Sequence, residues 1–543
     1  MRLIVILSLF LSTLFSTALD NELKFIINNE PQKLSIYQSE QKIIRELYSK
    51  NNNLPLWIGH ARNLNSLIQV LQNPYFNYKY KDFHQSQIEQ YTYLLHDNMN
   101  LNVNSKELSQ LDILLTRAYI KLVKFIVQSD INWDMVQVKI MGLKEAKDIT
   151  ANWEMVRKAM PSNSQLFQAI TNQDIKGFLN SLIPSKKEYQ ELIQALSFYR
   201  NLNNLERIKY EKDLRPKDKH PYIMAIKRRL IITGDLHNRD NTTDVFDEEL
   251  KYALFSYKDR FKLEQNGMID KVVVFYLNKP MHLLAEKITI NLDKLKVFPN
   301  NFPTEYIRVN IPDFKMNYYR NNQSILEMRA VVGKPERPTP IFSANMTYLE
   351  INPNWNIPEN LVRRDLIIAL QENPNYLKEH NIRVFYGWKK KGEMKSFKPS
   401  MLFPYADKSK GHIPYRFVQY PGDDNALGRI KFMFPNKYSV YLHDTDNKSL
   451  FQYRYRVYSS GCMRIEKPFE LLTVLNSRIS LKYQRIISKY RNTLVNKVIK
   501  FNKKLPVHTT YFTVFKRNGL TYFRKDIYEY DKFIKESQLK NFW

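Results

Sequence analysis

Apolar residues recur three and four positions apart through the first two hundred residues, the spacing of one face of an α-helix. The stretch around Leu111 shows this spacing most clearly, and residues 191–205 continue it. In this part of the sequence no cluster of His, Cys or carboxylate residues has the spacing of a metal or catalytic site. The pattern therefore predicts a helical scaffold over residues 19–210.

A different order of short helices and turns follows over residues 211–285. Residues 223–230 are amphipathic and end at a Gly-Asp pair, a natural helix stop. Asp247 is the predicted N-cap of a second helix. A turn at Asn266 and Gly267 then separates the second helix from a third. The pattern predicts a small three-helix unit.

After residue 305 the apolar positions alternate, which indicates β-strands. The alternation is clearest at residues 306–311 and 430–434. Residues 363–424 are partly helical, irregular and rich in lysine, as expected of an exposed insertion. We predict that residues 305–480 form a β-rich, sandwich-like domain with a mixed sheet. The fold class is therefore a multidomain α+β protein.

Residues 481–543 are predicted to complete this region with a helix and a hairpin. The helix is expected over residues 482–504, which hold eight basic residues and no acidic one. The hairpin is expected over residues 507–530, because Asn518 and Gly519 are the residue types preferred in a tight β-turn.

The first residues have the pattern of a secretory signal. Arg2 precedes an apolar run, and Ser16 and Ala18 place small residues before a cleavage point after residue 18. The apolar run is shorter than the roughly 20 residues that a membrane span needs. Residues 1–18 are therefore predicted to direct export, either as a cleaved signal peptide or as a retained anchor.

Composition narrows the classes of partner. The 543 residues suffice for two to four domains, and the net charge is +29. Such a charge favours an anionic partner or surface, although a biased base composition of the source genome would also enrich lysine. The export signal makes nucleic acid an unexpected partner.

The candidate chemistry centres on Cys462, the single cysteine of the chain. It lies in a turn of small residues, nineteen positions after His443, at the end of a predicted strand. A thiol attacks a carbonyl as the thiolate, so it needs a base such as histidine. A glycine turn can supply backbone N–H donors to the oxyanion that forms. The alternatives without a catalytic role are that Cys462 is a buried, inert thiol and that His443 is an ordinary surface histidine.

No cofactor or metal is predicted. His, Asp and Glu residues form no cluster with ligand spacing, and a lone cysteine cannot build a thiolate cage. A papain-like protease would have tryptophan beside its cysteine and histidine far downstream. Here Met463 follows Cys462, and His443 precedes it.

The segments Tyr441-Leu-His-Asp-Thr445 and Ser459-Ser-Gly-Cys-Met-Arg-Ile-Glu-Lys-Pro468, with Arg456 between them, resemble the signature of L,D-transpeptidases. These are penicillin-insensitive enzymes that cross-link peptidoglycan. Three further segments also resemble the family, at residues 332–340, 352–358 and 425–432. The resemblance is to the large periplasmic type, which has a helical scaffold, a peptidoglycan-binding module and a capped catalytic domain. Residues 211–285 resemble that module, and an unrelated three-helix unit is the alternative.

This resemblance implies a role for each residue of the motifs. Cys462 would be the nucleophile and His443 the general base and acid. The oxyanion and substrate site would be shaped by Tyr441, Ser460 and Gly461, and Arg464 would orient the substrate or the loop. Many family members have histidine at the position of Ser460, whereas the large periplasmic members have serine. The insertion at 363–424 would cap the site, with Trp388 as a candidate wall.

The resemblance also implies the reaction and its partners. A tetrapeptide stem would acylate the cysteine with loss of D-Ala, and the side-chain amine of a second stem would resolve the thioester as a 3→3 cross-link. Water as acceptor would make an L,D-carboxypeptidase, and a protein lysine would make an anchoring enzyme. A non-catalytic wall-binding scaffold is the alternative outside catalysis. The implied location is the periplasm, with membrane association only through an uncleaved signal, and the oligomeric state stays open.

Overall fold

The computed structural model describes residues 13–29, 38–97, 105–143, 151–202, 205–299, 302–387 and 392–539. Apolar side chains in this part of the chain form a helical core, a core inside a large β-sheet, and a small third core. The predicted combination of a helical N-terminal region and a β-rich C-terminal region is confirmed.

The N-terminal region is built around one long buried helix. The helices before residue 202 are α1 (Thr13–Asn29), α2 (Gln38–Lys50), α3 (Ala61–Gln72), α4 (Gln85–Asp97), α5 (Ser105–Gln128), α6 (Trp133–Gly142), α7 (Asn163–Thr171), α8 (Ile175–Leu182) and α9 (Lys186–Asn201). Helix α5 is apolar on most of its surface, so its neighbours cover it on several sides. Its buried Asp112 accepts backbone N–H groups of Leu56, Trp57 and Ile58, which fixes the chain between α2 and α3.

Four helices follow, namely α10 (Tyr222–Ile232), α11 (Glu248–Arg260), α12 (Lys271–Leu277) and α13 (Met281–Leu295). Asp247 caps α11 by accepting the N–H of Leu250 at 2.8 Å, as its position in the sequence predicts. Asp270 caps α12 in the same way through the N–H of Val273. These helices share one apolar core with α1–α5 and α7–α9, whereas α6 packs into the core of the large β-sheet. The boundary at residue 210 and the wall-binding role of this unit stay predictions.

The β-rich region contains most of the strands. In the described residues they are β1 (Glu305–Asn310), β2 (Lys315–Arg320), β3 (Gln323–Gly333), β4 (Ser343–Ile351), β5 (Trp355–Asn356), β6 (Ile382–Tyr386), β7 (Tyr415–Gln419), β8 (Ile430–Met433), β9 (Leu442–His443), β10 (Val457–Ser459), β11 (Met463–Ile465), β12 (Lys497–Thr510), β13 (Val514–Arg517) and β14 (Leu520–Phe523). Three helices near the end of the described chain are labelled α17 (Pro468–Val474), α18 (Leu481–Tyr490) and α19 (Tyr530–Glu536).

The main sheet has the order β10-β3-β11-β9-β8-β4-β12-β1-β2 among the described strands. Pairs β1/β12, β9/β11 and β3/β10 are parallel and the other pairs are antiparallel, so the sheet is mixed. Strand β3 pairs with β2 through its first half and with β11 through its second half. The sheet therefore closes on itself around an apolar core.

An insertion separates β4 from β8. It contains the three-stranded sheet β5-β7-β6 and the short helices α14 (Glu359–Leu361), α15 (Ile367–Glu372) and α16 (Tyr376–Glu379), with a π-helical turn over Val362–Leu366. Leu402 and Phe417 are fully buried in its own small core. The sequence predicts this insertion at 363–424, whereas its sheet begins earlier, at Trp355. Trp388 lies outside the described residues.

The predicted helix over residues 482–504 is wrong in its second half. Helix α18 ends at Tyr490, and residues from Lys497 onward form β12 between β4 and β1. Alternating burial of Ile499 and exposure of Val498 shows the strand period. The closing hairpin is shorter than predicted, because β13 and β14 pair around Asn518 while residues 507–510 belong to β12.

The predicted signal falls partly on α1, which begins at Thr13 and continues past Ala18 to Asn29. Residues 1–12 lie outside the described residues. Across the described ranges, no helix is both long enough and apolar enough to cross a membrane. Cleavage after residue 18 stays a prediction.

Candidate active site

Two neighbouring parallel strands bring the candidate residues together. Strand β11 pairs with β9 so that Met463 faces Leu442 and Arg464 faces His443. Leu442 and Met463 are fully buried in the sheet core. Because side chains alternate along a strand, Arg464 and His443 lie on the opposite face of the sheet. Cys462 precedes Met463 directly, and its thiol also lies outside the apolar core.

Tyr441 completes this group on the same face as His443, two residues earlier in the chain. The two rings meet edge to face with their centroids 5.5 Å apart. The amide of Met463 donates to the Tyr441 carbonyl at 3.1 Å, which fixes Cys462 beside Tyr441. Register thus places Cys462 and His443 as diagonal neighbours, a relation that in sheets gives Cα separations of about 7–8 Å.

The turn before the cysteine is held by side chains beneath it. Gly461 has φ +107°, a conformation that L-residues rarely adopt. The Ser459 hydroxyl donates to the Cys462 carbonyl at 2.5 Å and accepts the N–H of Gly461 at 3.2 Å. The Thr339 hydroxyl donates to the Gly461 carbonyl at 2.9 Å. The position of the thiol is therefore set before any substrate arrives.

A second glycine allows Thr339 to reach that turn. The chain folds back between Gly333 and Thr339 so closely that a Cβ on Gly333 would lie 2.1 Å from the Arg337 carbonyl oxygen. The N–H of Gly333 donates to the Thr339 hydroxyl, and the buried Tyr528 hydroxyl donates to the Gly333 carbonyl at 2.6 Å. Residues from three distant parts of the sequence thus support the turn before Cys462.

The Cys462 thiol is half-buried, with its Sγ 3.8 Å from the carbonyl oxygen of Ser439. Burial raises the pKa of this thiol. The backbone N–H and the phenol of Tyr441 act against burial, because both donate hydrogen bonds that favour the thiolate. The same contact, together with burial, raises the pKa of Tyr441 well above its ordinary value. The thiol is therefore neutral near pH 7 and has a phenol ready to stabilise its anion.

His443 is only 4% exposed. Burial, and then the positive charge of Arg464, lower the pKa of His443 to about 3. Its Nδ1 is buried and has no hydrogen-bond partner among the residues that the structure describes. A neutral imidazole with an unoccupied nitrogen is able to accept a proton from a nearby group.

Two cations stand on either side of this imidazole. Arg464 donates from Nη1 to the Thr445 hydroxyl at 3.2 Å, while its buried Nε finds no partner in the described ranges. Lys431, which pairs with His443 across β8 and β9, holds its Nζ 4.2 Å from the centroid of the Tyr441 ring. Both positive charges lower the pKa of the Cys462 thiol. The site is electropositive.

The insertion contributes Trp355 and Asp365 to the site. The Trp355 side chain hydrogen-bonds to the Tyr441 phenol and lowers its pKa against the larger opposing effect of burial. Arg337 donates to the Ser460 hydroxyl at 2.9 Å and forms an ion pair with Asp365 at 3.2 Å. Arg337 thereby ties the insertion to the residue two positions before the thiol.

The helical region also reaches the site. Residue Glu154 accepts the Tyr438 hydroxyl at 3.0 Å, next to Ser439, whose carbonyl faces the thiol. The N–H of Glu154 donates to the Ile341 carbonyl, just before β4. The loop that carries Tyr441 is therefore braced by a segment from the N-terminal half of the chain.

The structure brings together Cys462, His443, Tyr441 and Arg464, with Ser460 and Gly461 in the adjoining turn. Sequence reasoning missed Lys431 and Trp355 as members of this group. Both lie inside segments that resemble the family. Strand register reveals that Lys431 lies on the face that carries the thiol, and its hydrogen bond to the Tyr441 phenol places Trp355 in the group. No group of three or more His, Cys, Asp or Glu residues able to hold a metal occurs within the described ranges.

Comparison with known proteins agrees with this architecture. The family model of the L,D-transpeptidase catalytic domain (YkuD) matches residues 304–493, and that of a scaffold domain matches residues 42–196. A Haemophilus influenzae protein named "Putative L,D-transpeptidase" is 33% identical over 260 residues, which are 47% of this chain and 50% of that protein. The chain thus spans about half the length of the curated relative that it matches.

A solved structure of an L,D-transpeptidase from Xylanimonas cellulosilytica covers 55% of this chain and 98% of its own. It is 9% identical with a TM-score of 0.17, a likeness too weak to carry an argument. Residues 304–493 are therefore similar to an L,D-transpeptidase catalytic domain. They include Cys462, His443 and the motifs around them.

Proposed function

We propose that the protein is an exported peptidoglycan L,D-transpeptidase that forms 3→3 cross-links through a thioester on Cys462, with His443 as general base and acid. The observation that supports this most directly is the face of β9 and β11 that carries Tyr441, His443 and Arg464 beside the thiol. On this face, Nδ1 of His443 and Nε of Arg464 are buried and have no hydrogen-bond partner in the part of the chain that the structure describes, so a substrate could satisfy them.

In the acylation step, Cys462 Sγ attacks the carbonyl carbon between the diamino acid and the terminal D-Ala of a tetrapeptide stem. Thiol and imidazole are both neutral near pH 7, so the thiol proton passes to His443 as the S–C bond forms. The oxyanion would be met by the Cys462 amide and the Tyr441 phenol. When the C–N bond breaks, His443 returns the proton to the nitrogen of the departing D-Ala.

In the second step, the side-chain amine of another stem attacks the thioester carbon. His443 accepts a proton from this amine and delivers it to the sulfur as the S–C bond breaks. An amide between two stems forms, and the thiol is regenerated. The positive charges of Lys431 and Arg464 favour the approach of carboxylate-bearing peptides, because opposite charges raise the local substrate concentration.

The direct test is digestion of peptidoglycan after treatment with the full chain, with the fragments identified by mass. We expect dimers linked 3→3 between diamino acids. Tripeptide fragments without such dimers would instead identify an L,D-carboxypeptidase, and attachment to a protein lysine would identify an anchoring enzyme. Fragments identical to those of untreated material would contradict the proposal.

The hydrogen bond from Tyr441 predicts a measurable shift in thiol reactivity. Removing it by Tyr441→Phe is expected to raise the pKa of Cys462 by about one unit, since a bond to a charged group contributes about 1.5–3 kcal/mol, part of which the Tyr441 N–H retains. The pH profile of alkylation by iodoacetamide measures this pKa, and its midpoint should move upward.

Tyr438→Phe is the matched control for this experiment, because it removes a phenol from the same loop without touching the thiol. Its alkylation midpoint should equal that of the unmodified protein. Equal midpoints for all three proteins would show that the Tyr441 phenol does not act on the thiol.

A further inference from the structure

One cross-strand row on the site face continues beyond the residues of the family motif. Strand pairing places Glu350 of β4 opposite Lys431, Lys431 opposite His443, and His443 opposite Arg464. Neighbouring strands are about 4.8 Å apart, so Lys431 and Arg464 stand on either side of His443 at backbone positions about 10 Å from each other. Both side chains are long enough to converge above the imidazole.

The ammonium of Lys431 forms no ion pair with a carboxylate in the part of the chain that the structure describes. Within the described ranges no ion pair joins it to Glu350, its direct neighbour across the strands. Its Nζ instead lies 4.2 Å from the centre of the Tyr441 ring, on the side of the row that carries the thiol. Its positive charge acts on both Cys462 and His443. A half-buried cation held in this way is a receptor for an anion.

The chemistry of the donor fixes where an anion must lie. In a peptide cleaved by Cys462, the leaving residue carries its carboxylate only three bonds beyond the scissile carbonyl carbon. That carboxylate is therefore within about 5 Å of the scissile carbon when the sulfur attacks. Lys431 and Arg464 are the cations that flank this space from the two strands beside His443.

Resting on the proposed function, we infer that Lys431 is a specificity-determining residue that binds the free α-carboxylate of the leaving D-residue. The tetrapeptide stem of the proposed function ends at that residue and therefore presents this carboxylate to Lys431. A stem with one more residue, or with an amidated end, places a neutral amide beside Lys431. Such a donor leaves the ammonium desolvated and without a partner, and this disfavours its acylation.

The test compares two soluble donors that differ only at the end, a tetrapeptide with a free C-terminal carboxylate and the same tetrapeptide as its C-terminal amide. Release of the terminal residue gives kcat/KM for each. The unmodified protein should prefer the free acid by tenfold or more. Lys431→Met should reduce this preference at least tenfold, mainly through KM of the free acid, whereas Lys431→Arg should restore most of it.

Glu350→Gln separates recognition from a structural ion pair. If Lys431 serves only to pair with Glu350, both variants lose activity equally on the two donors. If Lys431 binds the donor carboxylate, Glu350→Gln keeps the preference for the free acid. A preference unchanged in Lys431→Met overturns the inference and leaves the proposed function intact. If the unmodified protein cleaves neither donor while its Cys462 thiol is free and reduced, the proposed function itself is contradicted.

Discussion

Replacing Cys462 by alanine is expected to abolish covalent acylation. A carbapenem should add one adduct to the unmodified protein, detected as a single increment in intact mass, and none to Cys462→Ala. The reason is that no other residue of the chain bears a thiol, and the hydroxyl groups near the site lack the nucleophilicity of a thiolate. The loss should exceed a factor of about a thousand in the rate of adduct formation, comparable with the loss of a nucleophile elsewhere.

The fold should survive this substitution. Cys462 is half-buried, and the hydrogen bond from Ser459 to its backbone carbonyl does not involve the sulfur. The melting temperature is therefore expected to change by only a few degrees, since shortening a partly exposed side chain lowers the free energy of unfolding only slightly. Ser460→Ala is a matched control that alters the same turn and should still form the adduct. An adduct of undiminished yield on Cys462→Ala would refute the assignment of the nucleophile.

Replacing His443 by glutamine is expected to slow acylation by a factor of about a hundred to ten thousand, the usual contribution of general acid–base catalysis. Glutamine fills the same buried space but cannot accept the thiol proton at neutral pH. The rate constant for carbapenem adduct formation measures the effect. It is obtained by quenching the reaction at set times and recording the intact mass of the protein. Tyr441, Arg464 and the thiol stay in place, so the slow residual reaction should rise with pH as the thiol ionises unaided.

The pH dependence of the unmodified protein follows from the same residue. An ordinary histidine is protonated below about pH 6.5 and ceases to act as a base there. Burial lowers the pKa of His443 to about 3, so the neutral form persists far into the acid range. Acylation should keep its rate between pH 7 and 5 and decline only as the pH falls toward 3. A decline centred near pH 6.5 would show that His443 is solvated in the working enzyme.

The sequence anticipated the site where chemistry demands particular residue types. A single cysteine after a glycine, preceded by a histidine at a strand end, follows from the needs of a nucleophile, a base and a tight turn. The adjacency of Tyr441 and His443 is also visible in the sequence, since residues two apart share a strand face. What the sequence alone did not reveal is which strand lies beside β9, and therefore that Lys431 lies near the thiol. It also did not reveal that Trp355 of the insertion contacts the Tyr441 phenol.

The error at residues 482–504 has a physical cause. The stretch is rich in lysine, and its apolar residues have the spacing of an amphipathic helix. This local pattern predicts the structure correctly as far as Tyr490. Beyond the polar residues 491–496, Val498 and Ile499 are β-branched and have access to the unpaired edges of β4 and β1. Tertiary pairing overrides a local preference in such a case, and no single-segment pattern reports the partner.

The position of β12 determines the order of assembly. Strand β12 sits between β4 and β1 yet is formed by residues 497–510, beyond the end of the matched catalytic domain at 493. Until residues 497–510 have been synthesised, β4 and β1 each have an unpaired edge, so we expect the sheet to close only after β12 is available. A chain truncated before residue 497 is therefore expected to lose the strand that joins β4 to β1.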